Sequence, residues 1–304
     1  MFEICCGCRP HGKRPQEHGL TDQSLEEQMR VETVDYQAPD AGETLARSLR
    51  DTGFAVLANH PITPERIAGI YDGWGQFFAG DDKFEFAVKP PAHDGYFAFR
   101  SENAKDSPVK DLKEFFHVYR DCRLPDALEA ITRAIYADLE ALGCELLDWI
   151  QAEAPASVTD GLAMPLGDMM KSSNQSLLRI LHYPPVEEAE PGAIRAAAHE
   201  DINLITLLLS GSKPGLQAQD ANGNWHDVAC DAGMITINNG DMLAKATGDY
   251  FPSTTHRVTN PDAGQNVSRY SMPMFLHPRP DVPLQPGLTA DDYLQQRLRE
   301  IGLK

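Results

Sequence analysis

The chain has 304 residues, of which 42% are hydrophobic and 24% charged, an ordinary composition for a folded globular protein. Its 45 acidic and 27 basic residues give a formal net charge of -18. Such a field repels phosphate backbones and anionic membranes, which argues against nucleic acid or a membrane as a partner. No apolar run approaches the ~20 residues that cross a bilayer, and the N-terminus lacks the apolar core of a secretory signal. These features predict a cytoplasmic protein.

Residues 1–30 are polar and aperiodic, which predicts a flexible leader. This leader contains Cys5, Cys6 and Cys8, with His11 nearby, a group that could bind a soft metal. A disordered tail without a metal is the favoured interpretation, because no second pair of ligands follows. The other three cysteines are scattered, as is typical of free thiols in a reducing compartment.

Residues 31–170 predict a helical and mixed N-terminal region. The predicted elements are a strand at 31–35, a helix at 42–50, a buried strand at 54–57, a helix from 63 to about 78, a loop-rich stretch at 89–110 and a long helix at 126–153. Thr63 followed by proline is typical of a helix start, and Asp126 is the expected cap of the long helix. Apolar residues of the long helix recur every three or four positions, so that stripe is assigned to the core. His117 is expected to be a packed structural histidine.

Residues 171–280 have a different character, because short apolar runs alternate with turn residues. The runs are 177–183, 204–209, 216–219, 234–237, 256–259 and 270–276. Strands at this spacing predict a sandwich or a barrel, of which the double-sheet jelly roll is one form. The C-terminal region 281–304 contains an amphipathic helix at 289–301, which could pack back on the domain or join two subunits. The oligomeric state is left open.

The sequence His199-Glu200-Asp201 is the strongest candidate for a metal site. On an extended segment, residues two apart point to the same side, so one metal could bind both His199 and Asp201. His256 begins a later predicted strand and is the best-placed third ligand. Two histidines and one carboxylate leave open metal positions, as in non-haem iron(II) oxygenases. Alone, a His-x-Asp sequence is weak evidence, since many such histidines are ordinary surface or core residues.

Arg269-Tyr270-Ser271 is a candidate anion site. On a strand, Arg269 and Ser271 share a face. The planar fork of a guanidinium matches a carboxylate, and the hydroxyl adds one donor. The pair would also supply a local cation that the acidic protein needs to bind a dianion. The alternative for this tripeptide by itself is a surface arginine beside a strand serine.

Several motifs occur in an order that resembles one family. They are Gly53-Phe54 with Asn59-His60, Phe77-Phe78 before Lys83, then His-Tyr-Pro-Pro (182–185), His-Glu-Asp (199–201), Pro-Gly-Leu-Gln (214–217), Asn-Asn-Gly-Asp (238–241), His-Arg-Val (256–258) and Arg-Tyr-Ser (269–271). From about residue 31 to 278 the chain resembles the isopenicillin N synthase-like branch of the 2-oxoglutarate-dependent dioxygenases. The resemblance implies a mixed α and β fold, with a double-stranded β-helix (jelly-roll) catalytic core at 171–280, a helical N-terminal region and supporting helices.

The resemblance also implies the cofactors and their ligands. Iron(II) would be held by His199, Asp201 and His256, and the co-substrates would be 2-oxoglutarate and O2. The distal carboxylate of 2-oxoglutarate would be held by Arg269 and Ser271, with help from Tyr183. Two positions depart from the family pattern: Leu181 replaces a hydrogen-bonding asparagine, and Glu200 replaces a common threonine.

A small-molecule substrate is implied, with hydroxylation, desaturation or cyclisation as the outcome and succinate and CO2 as co-products. Candidate substrate contacts are the aromatic and histidine side chains Tyr96, Phe97, Phe99, Phe275 and His277. One alternative is an iron(II) oxidase of the same fold that does not use 2-oxoglutarate. The other is a non-catalytic jelly roll that binds a metal or a small molecule.

Overall fold

A computed structural model describes residues 29–101, 110–185, 195–210, 213, 215–260 and 266–300. The elements of the N-terminal half are β1 (Glu32–Asp35), α1 (Ala41–Thr52), β2 (Phe54–Ala58), α2 (Pro64–Ala79), a 3-10 helix (Asp82–Phe86), β3 (Gly95–Phe97), β4 (Glu114–Val118), α3 (Asp126–Ala152), α4 (Ala156–Thr159) and α5 (Leu166–Met170). Those of the C-terminal half are β5 (Leu177–Tyr183), β6 (Ala196–His199), β7 (Ile205–Leu209), β8 (Leu216–Gln219), β9 (Trp225–Asp227), β10 (Ile235–Asn239), α6 (Asp241–Ala246), β11 (His256–Val258), β12 (Arg269–Leu276), β13 (Pro283–Gln285), β14 (Leu288–Thr289) and α7 (Ala290–Glu300). The cysteine cluster of the leader lies outside the described residues.

Local signals set the ends of the first two long helices. The Thr63 hydroxyl caps α2 by accepting a hydrogen bond from the Arg66 backbone N–H (3.4 Å), and a proline occupies the first turn, as predicted. α1 ends at Gly53, whose φ of 74° is left-handed and suits glycine. The predicted cap of α3 is wrong, because Pro125 occupies the cap position and Asp126 is the first helical residue. There its carboxylate interacts favourably with the positive end of the helix dipole.

Two β-sheets form the jelly roll. The larger sheet has the strand order β1-β2-β10-β7-β12-β5-β4-β3, and the smaller has the order β6-β11-β8-β9. The sheets pack face to face, because Phe54 and Val56 of β2 share a buried cluster with Ala218 of β8 and with Val228. The predicted mixed fold with a jelly-roll core is therefore confirmed.

The outer face of the eight-stranded sheet packs against the helices. Met272, Met274 and Leu276 of β12 belong to the same buried apolar cluster as Leu139 and Leu146 of α3. The predicted apolar stripe of α3 is therefore core. Burial of these side chains, at about 25 cal/mol per Å2 of apolar surface, is the main force that holds the sheet to the helices.

We call the opposite side of this sheet, which faces the four-stranded sheet, the inner face. Side chains alternate between the two faces along a strand, and directly paired residues share a face. The pairing of β3, β4, β5 and β12 therefore shows which of their side chains lie on the inner face. They are Phe97, Phe115, His117, Arg179, Leu181, Tyr183, Arg269, Ser271 and Phe275. Phe115, Leu181 and Tyr183 form a buried apolar cluster that is separate from the core on the helix side of the sheet. The partly buried Phe97 packs against this cluster.

The loop prediction for 89–110 is wrong in part, because β3 lies within it. A three-residue strand is too short to show alternation, and it begins at Gly95, where a Cβ would press on the Phe86 carbonyl oxygen (2.5 Å). β4, β6 and β9 were also not predicted as strands. β6 is rich in alanine, a weak strand former, so its pairing is decided by its neighbours and not by its own residues.

The C-terminal helix α7 packs back on the domain. The Tyr293 hydroxyl donates to Asp241 Oδ2 (2.8 Å), and Arg297 Nε lies 3.3 Å from the same oxygen. Ala290 and Tyr293 are buried. The sequence left open whether this helix packs on its own domain or joins two subunits, and the structure shows it packed on its own domain. None of the helices in the described part of the chain has the length and apolarity that crossing a membrane requires.

Candidate functional site

Three potential metal ligands converge at the edge of the smaller sheet. His199 is the last residue of β6 and His256 the first of β11, and antiparallel pairing places them opposite each other. One ligand atom from each of His199, Asp201 and His256 lies within 4.8 Å of the other two. The Nε2 atoms of His199 and His256 lie 3.9 and 3.8 Å from Asp201 Oδ1. The structure thus brings together the three residues that were predicted to bind iron.

Both imidazoles use one nitrogen on the backbone. His199 Nδ1 lies 2.8 Å from the Ala197 carbonyl oxygen, and His256 Nδ1 lies 3.0 Å from that of Thr254. A carbonyl oxygen can only accept, so each ring carries its proton on Nδ1. The lone pair of each Nε2 is then available to a metal, which is the form of histidine that metals bind.

Two further side chains orient the Asp201 carboxylate. Its Oδ2 accepts hydrogen bonds from Thr206 Oγ1 (2.6 Å) and from Asn238 Nδ2 (2.8 Å). Oδ1 is the oxygen that faces the two histidines. Sequence reasoning assigned no role to Thr206 or Asn238, although Asn238 belongs to a motif that carried the resemblance. Fixing one oxygen in this way leaves the other directed at His199 and His256, as in carboxylates that bind a metal.

The protonation states of the site favour metal binding. Although 41% of the His199 side chain is exposed, the protein packed around its ring desolvates it and lowers its pKa to about 4, and repulsion from His256 adds to the shift. Burial alone would raise the pKa of Asp201, but the two histidines and the hydrogen bonds from Thr206 and Asn238 outweigh it and lower that pKa. Near neutral pH the site therefore holds a neutral His199 and an ionised Asp201.

A glycine keeps the backbone close behind Asp201. A Cβ on Gly240 would overlap the carbonyl oxygen of Asn203, and the Gly240 N–H donates to the Leu204 carbonyl (2.9 Å). The next N–H, of Asp241, donates to the Asp201 carbonyl (2.7 Å). We therefore expect Gly240→Ala to displace the segment that carries Asp201. It should lower the free energy of unfolding by about 1–3 kcal/mol and weaken metal binding, as measured by denaturant titration and metal titration.

Gly69→Ala is the matched control for this substitution. A Cβ at Gly69 would make an ordinary contact with Ile131 Cδ1 at 3.5 Å, and alanine is the better helix former inside α2. Its stability should stay constant or rise by up to about 1 kcal/mol. If Gly240→Ala had the stability and metal affinity of the wild type, the close packing of Gly240 against Asn203 would not be what holds the Asp201 segment in place.

Arg269, Ser271 and Tyr183 meet on the inner face. Arg269 and Ser271 are buried, Tyr183 lies opposite Arg269 across the strands, and its ring centroid is 5.2 Å from Arg269 Cζ. Arg269 Nε donates to the Lys213 carbonyl (3.1 Å), whereas its buried Nη1 has no hydrogen-bond partner among the described residues. A buried charged donor without an acceptor is unfavourable. This position therefore fits an anion whose oxygens accept hydrogen bonds.

A second arginine, not predicted from the sequence, lies beside the same tyrosine. Arg195 is 5% exposed, its Nη2 donates to the Val267 carbonyl (2.9 Å), and its Cζ lies 5.9 Å from the Tyr183 ring centroid. Burial lowers the pKa of Arg195, and the charge of Arg269 lowers it further. Within the described parts of the chain, neither guanidinium forms an ion pair with a carboxylate. Two buried like charges this close favour an anion between them.

Tyr96 does not belong with the predicted substrate contacts. It lies on the outer face of the sheet, where its hydroxyl donates to Glu114 Oε2 (2.5 Å). The same carboxylate accepts from Lys83 Nζ (3.0 Å) and pairs with His182 Nδ1 (2.7 Å). The prediction is wrong because the facing direction of a strand follows from its register, which the sequence of β3 did not show.

The other four predicted substrate contacts lie in different parts of the structure. Phe97 and Phe275 lie on the inner face, and Phe97 stacks on Phe115 with 4.6 Å between ring centroids. Phe99 is 38% exposed and lies outside the strand. His277 follows β12, and burial lowers its pKa to about 4, with the Asp201 charge opposing the shift. Phe275, whose cross-strand neighbour Thr206 contacts Asp201, and His277, whose pKa responds to the Asp201 charge, therefore lie near the ligand cluster. Phe97 lies on the edge strand β3, and Phe99 is at the surface.

The structure shows the neighbours of Leu181 and Glu200, the two residues that depart from the family pattern. Leu181 lies opposite Ser271 in the strand register and is buried in the inner apolar cluster, so it contributes packing and no hydrogen bond. Glu200 points away from the ligands and accepts from the Thr255 hydroxyl (2.9 Å).

Two family models match separate segments of the chain. Residues 174–278 match the model of the 2OG-Fe(II) oxygenase superfamily, and residues 28–134 match that of the N-terminal region of a non-haem dioxygenase in morphine synthesis. The proline hydroxylase buaE of Petromyces alliaceus is 30% identical over 290 residues, covering 84% of this chain and 89% of the relative. The 2-oxoglutarate-dependent dioxygenase citB of Monascus ruber is 29% identical, covering 77% and 78%. A solved structure from Shewanella oneidensis, an oxygenase by provisional assignment, is 48% identical with a TM-score of 0.83, covering 90% of this chain and all of that one.

Proposed function

This chain belongs to the 2-oxoglutarate–Fe(II) oxygenase superfamily, and from that premise we propose that His199, Asp201 and His256 are its iron ligands. The protein is accordingly an oxidoreductase that uses Fe(II), 2-oxoglutarate and O2. The observation that supports the ligand assignment is the convergence of two Nε2 atoms and one carboxylate oxygen, each oriented by a hydrogen bond on its other side. Two histidines and one carboxylate occupy one face of an octahedral metal and leave positions for co-substrate and O2.

The chemistry supplied by Fe(II) in this superfamily is O2 activation, coupled to decarboxylation of 2-oxoglutarate and oxidation of the substrate. The role of the protein is to hold the reactants in place and to limit access of water. The described ligand residues suit this role, because His199 and His256 lie at the ends of paired strands and Asp201 is held by hydrogen bonds from Thr206 and Asn238. Hydroxylation, desaturation and cyclisation share these requirements.

We further propose that Arg269 and Ser271 bind the distal carboxylate of 2-oxoglutarate, with Tyr183 beside them. The partnerless Nη1 of Arg269 supports this role, since it lacks the acceptor that a carboxylate would provide. A dedicated cation is required because the net charge of -18 repels a dianion.

Arg195 is proposed as a second cation for the same carboxylate. We expect Arg195→Met, which keeps much of the side-chain volume but removes the charge, to raise the Kd for 2-oxoglutarate about tenfold. Iron content should not change. The measurement is a titration of the iron-loaded protein with 2-oxoglutarate in the absence of O2.

Arg47→Met is the control, because Arg47 is a half-exposed residue of α1 that pairs with Glu43. It should leave the Kd for 2-oxoglutarate unchanged. An unchanged Kd in Arg195→Met as well would show that Arg195 serves only the packing around Tyr183.

The prime substrate is proposed to be a small molecule. Candidate contacts on the inner face are Phe97 and Phe275, each of which is partly buried. The acidic charge of the whole chain disfavours nucleic acid and anionic membranes.

The free, unpaired Cys122, Cys144 and Cys230 favour a reducing compartment such as the cytoplasm.

The test of the proposed function is an anaerobic titration of the Fe(II)-loaded protein with 2-oxoglutarate, followed by the visible charge-transfer band of a chelated keto acid. A saturable band, and succinate formed in proportion to oxidised product, would support the 2-oxoglutarate-dependent activity. Iron binding without a band would favour the related oxidase, in which the Arg269 site holds a substrate carboxylate instead. Failure to bind iron would refute the ligand assignment.

A further inference from the structure

Two side chains of the C-terminal helix α7 contact one buried carboxylate, that of Asp241. The Tyr293 hydroxyl donates to Asp241 Oδ2 (2.8 Å), and Arg297 Nε lies 3.3 Å from the same oxygen. Tyr293 and Asp241 are 8% and 6% exposed, so water is largely kept from this contact. The helix is therefore joined to Asp241 by a buried hydrogen bond and an ion pair.

The backbone of Asp241 is hydrogen-bonded to the proposed metal ligand Asp201. Asp241 is the first residue of α6, and its N–H donates to the Asp201 carbonyl (2.7 Å). The next N–H, of Met242, donates to the carbonyls of Ile202 (3.2 Å) and Asn203 (3.0 Å). The first N–H groups of a helix have no partner within the helix, so these carbonyls satisfy them. The start of α6 is thereby fastened to three successive residues that begin with Asp201.

Asp201 is also held through its side chain by the same stretch of chain. Asn238, which precedes Asp241 by three positions, donates to Asp201 Oδ2 (2.8 Å). The stretch 238–241 thus contacts both the backbone and the carboxylate of Asp201. The other oxygen, Oδ1, lies 3.9 and 3.8 Å from the Nε2 atoms of His199 and His256. A displacement of Asp241 would therefore be passed to Asp201 and would change the distances on which metal binding depends.

The contact between α7 and Asp241 does not depend on pH in the neutral range. Burial raises the pKa of the Tyr293 hydroxyl, and the hydrogen bond to Asp241 raises it further. The hydroxyl therefore stays protonated and remains a donor. The Arg297 guanidinium offsets the charge of the carboxylate, which would be unfavourable in this buried position without a partner. Asp241 is consequently held from α7 by one donor and one cation.

We propose that α7 positions the metal ligand Asp201, with Tyr293 as the positioning residue, and that it acts through Asp241. This inference rests on the proposed function, because it takes Asp201 as an iron ligand. Coupling between two parts of a protein is reciprocal. Docking of α7 therefore strengthens metal binding, and metal binding strengthens the docking of α7.

The test is an anaerobic titration of Tyr293→Phe with Co(II), whose visible absorption reports on the ligands. The substitution removes a hydroxyl and keeps the ring, so α7 stays packed. Residues bonded directly to a metal ligand change affinity by about 10- to 100-fold, and Tyr293 acts one contact further away, so the Kd for Co(II) should rise about 5- to 10-fold. The absorption of bound Co(II) should change, because the carboxylate is less firmly oriented. In the metal-free variant, the Asp241 amide should exchange its hydrogen at least about fivefold faster than in the wild type.

Tyr36→Phe is the matched control. Tyr36 is a partly buried tyrosine, and its hydroxyl donates to the Glu145 carboxylate on α3 (2.9 Å). The substitution should lower stability to a similar extent, because the same kind of hydrogen bond is removed. It should leave the Kd and the absorption of Co(II) unchanged. An equal loss of affinity in Tyr36→Phe would show that reduced stability, and not the position of α7, weakens the metal site.

A double-mutant cycle tests whether the effect passes through Asp241. Asp241→Ala removes the oxygen that Tyr293 and Arg297 contact, and it keeps the backbone N–H that donates to Asp201. By itself it should weaken Co(II) binding at least as much as Tyr293→Phe does. In the Asp241→Ala background, Tyr293→Phe should change the Kd by less than about twofold, since the contact through which it acts is already absent.

The inference is overturned if Tyr293→Phe binds Co(II) with wild-type affinity, or if its effect is undiminished in the Asp241→Ala background. A wild type that binds no Co(II) would instead refute the proposed iron ligands, and the inference with them.

Discussion

Asp201→Ala is expected to weaken Fe(II) binding by at least about 100-fold and to abolish turnover. Asp201 supplies the only negative charge among the three ligands, and loss of residues that merely orient metal ligands already weakens binding by about 10- to 100-fold. The measurement is iron bound per chain after anaerobic desalting, together with a Co(II) titration. The substitution also removes the shorter of two acceptors from Thr206 Oγ1 and from Asn238 Nδ2, leaving each a 3.4 Å contact, to Asn203 Oδ1 and to the Asn239 carbonyl. The loss of each shorter hydrogen bond lowers stability by about 1 kcal/mol.

A second variant separates loss of metal from loss of fold. Asp201→Asn keeps the side-chain shape and one oxygen acceptor but removes the charge, so it should fold like the wild type and still fail to retain iron. Asp231→Ala is the control, because it removes an exposed carboxylate from the same half of the chain. Full iron content and activity in both Asp201 variants would rule out the ligand assignment.

Arg269→Ala is expected to raise the Kd for 2-oxoglutarate by about 100-fold while leaving the iron content unchanged. A charge-assisted, bidentate contact with a carboxylate contributes about 1.5–3 kcal/mol, which corresponds to roughly 10- to 150-fold in affinity. Because Arg269 is 2% exposed, water cannot easily take over its role. The anaerobic charge-transfer titration measures this change.

Pyruvate provides the sharper control for this variant, since it has the same keto-acid end and lacks the distal carboxylate. The wild type should bind 2-oxoglutarate far more tightly than pyruvate, and Arg269→Ala should lose that preference by weakening only 2-oxoglutarate. Arg269→Lys should give an intermediate Kd, because lysine restores the charge without the fork. Equal loss of both keto acids would mean that the substitution disturbs the iron site and not the carboxylate contact.

The motifs that carried the family resemblance were enough to predict the fold class and the three residues whose potential ligand atoms converge. His199 and Asp201 are two residues apart, so their common direction follows from local geometry. His256 was chosen because it begins a later strand, and the β6–β11 pairing does place it opposite His199. These predictions depend on short-range spacing and motif order, which a single sequence displays directly.

The residues missed by sequence analysis act across strands that are distant in the chain. Asn238 reaches Asp201 over 37 positions and Arg179 reaches His117 over 62. Arg195 gains its significance from Tyr183, which lies beside it only after folding. Tyr96 was predicted to contact the substrate from a loop-rich stretch, whereas the pairing of β3 with β4 turns its side chain to the outer face of the sheet.

The sequence by itself therefore determined the jelly-roll family, the positions of the long helices and the identities of the metal-binding and carboxylate-binding candidates. Hydrophobic spacing, cap residues and motif order are local properties that remain visible in an unfolded chain. Only the tertiary structure decided which oxygen of Asp201 faces the histidines, that two buried arginines lie beside Tyr183, and that Arg179 lies opposite His117 on the inner face. These relations follow from strand register and sheet order, which are set by packing of the whole domain and not by any one segment.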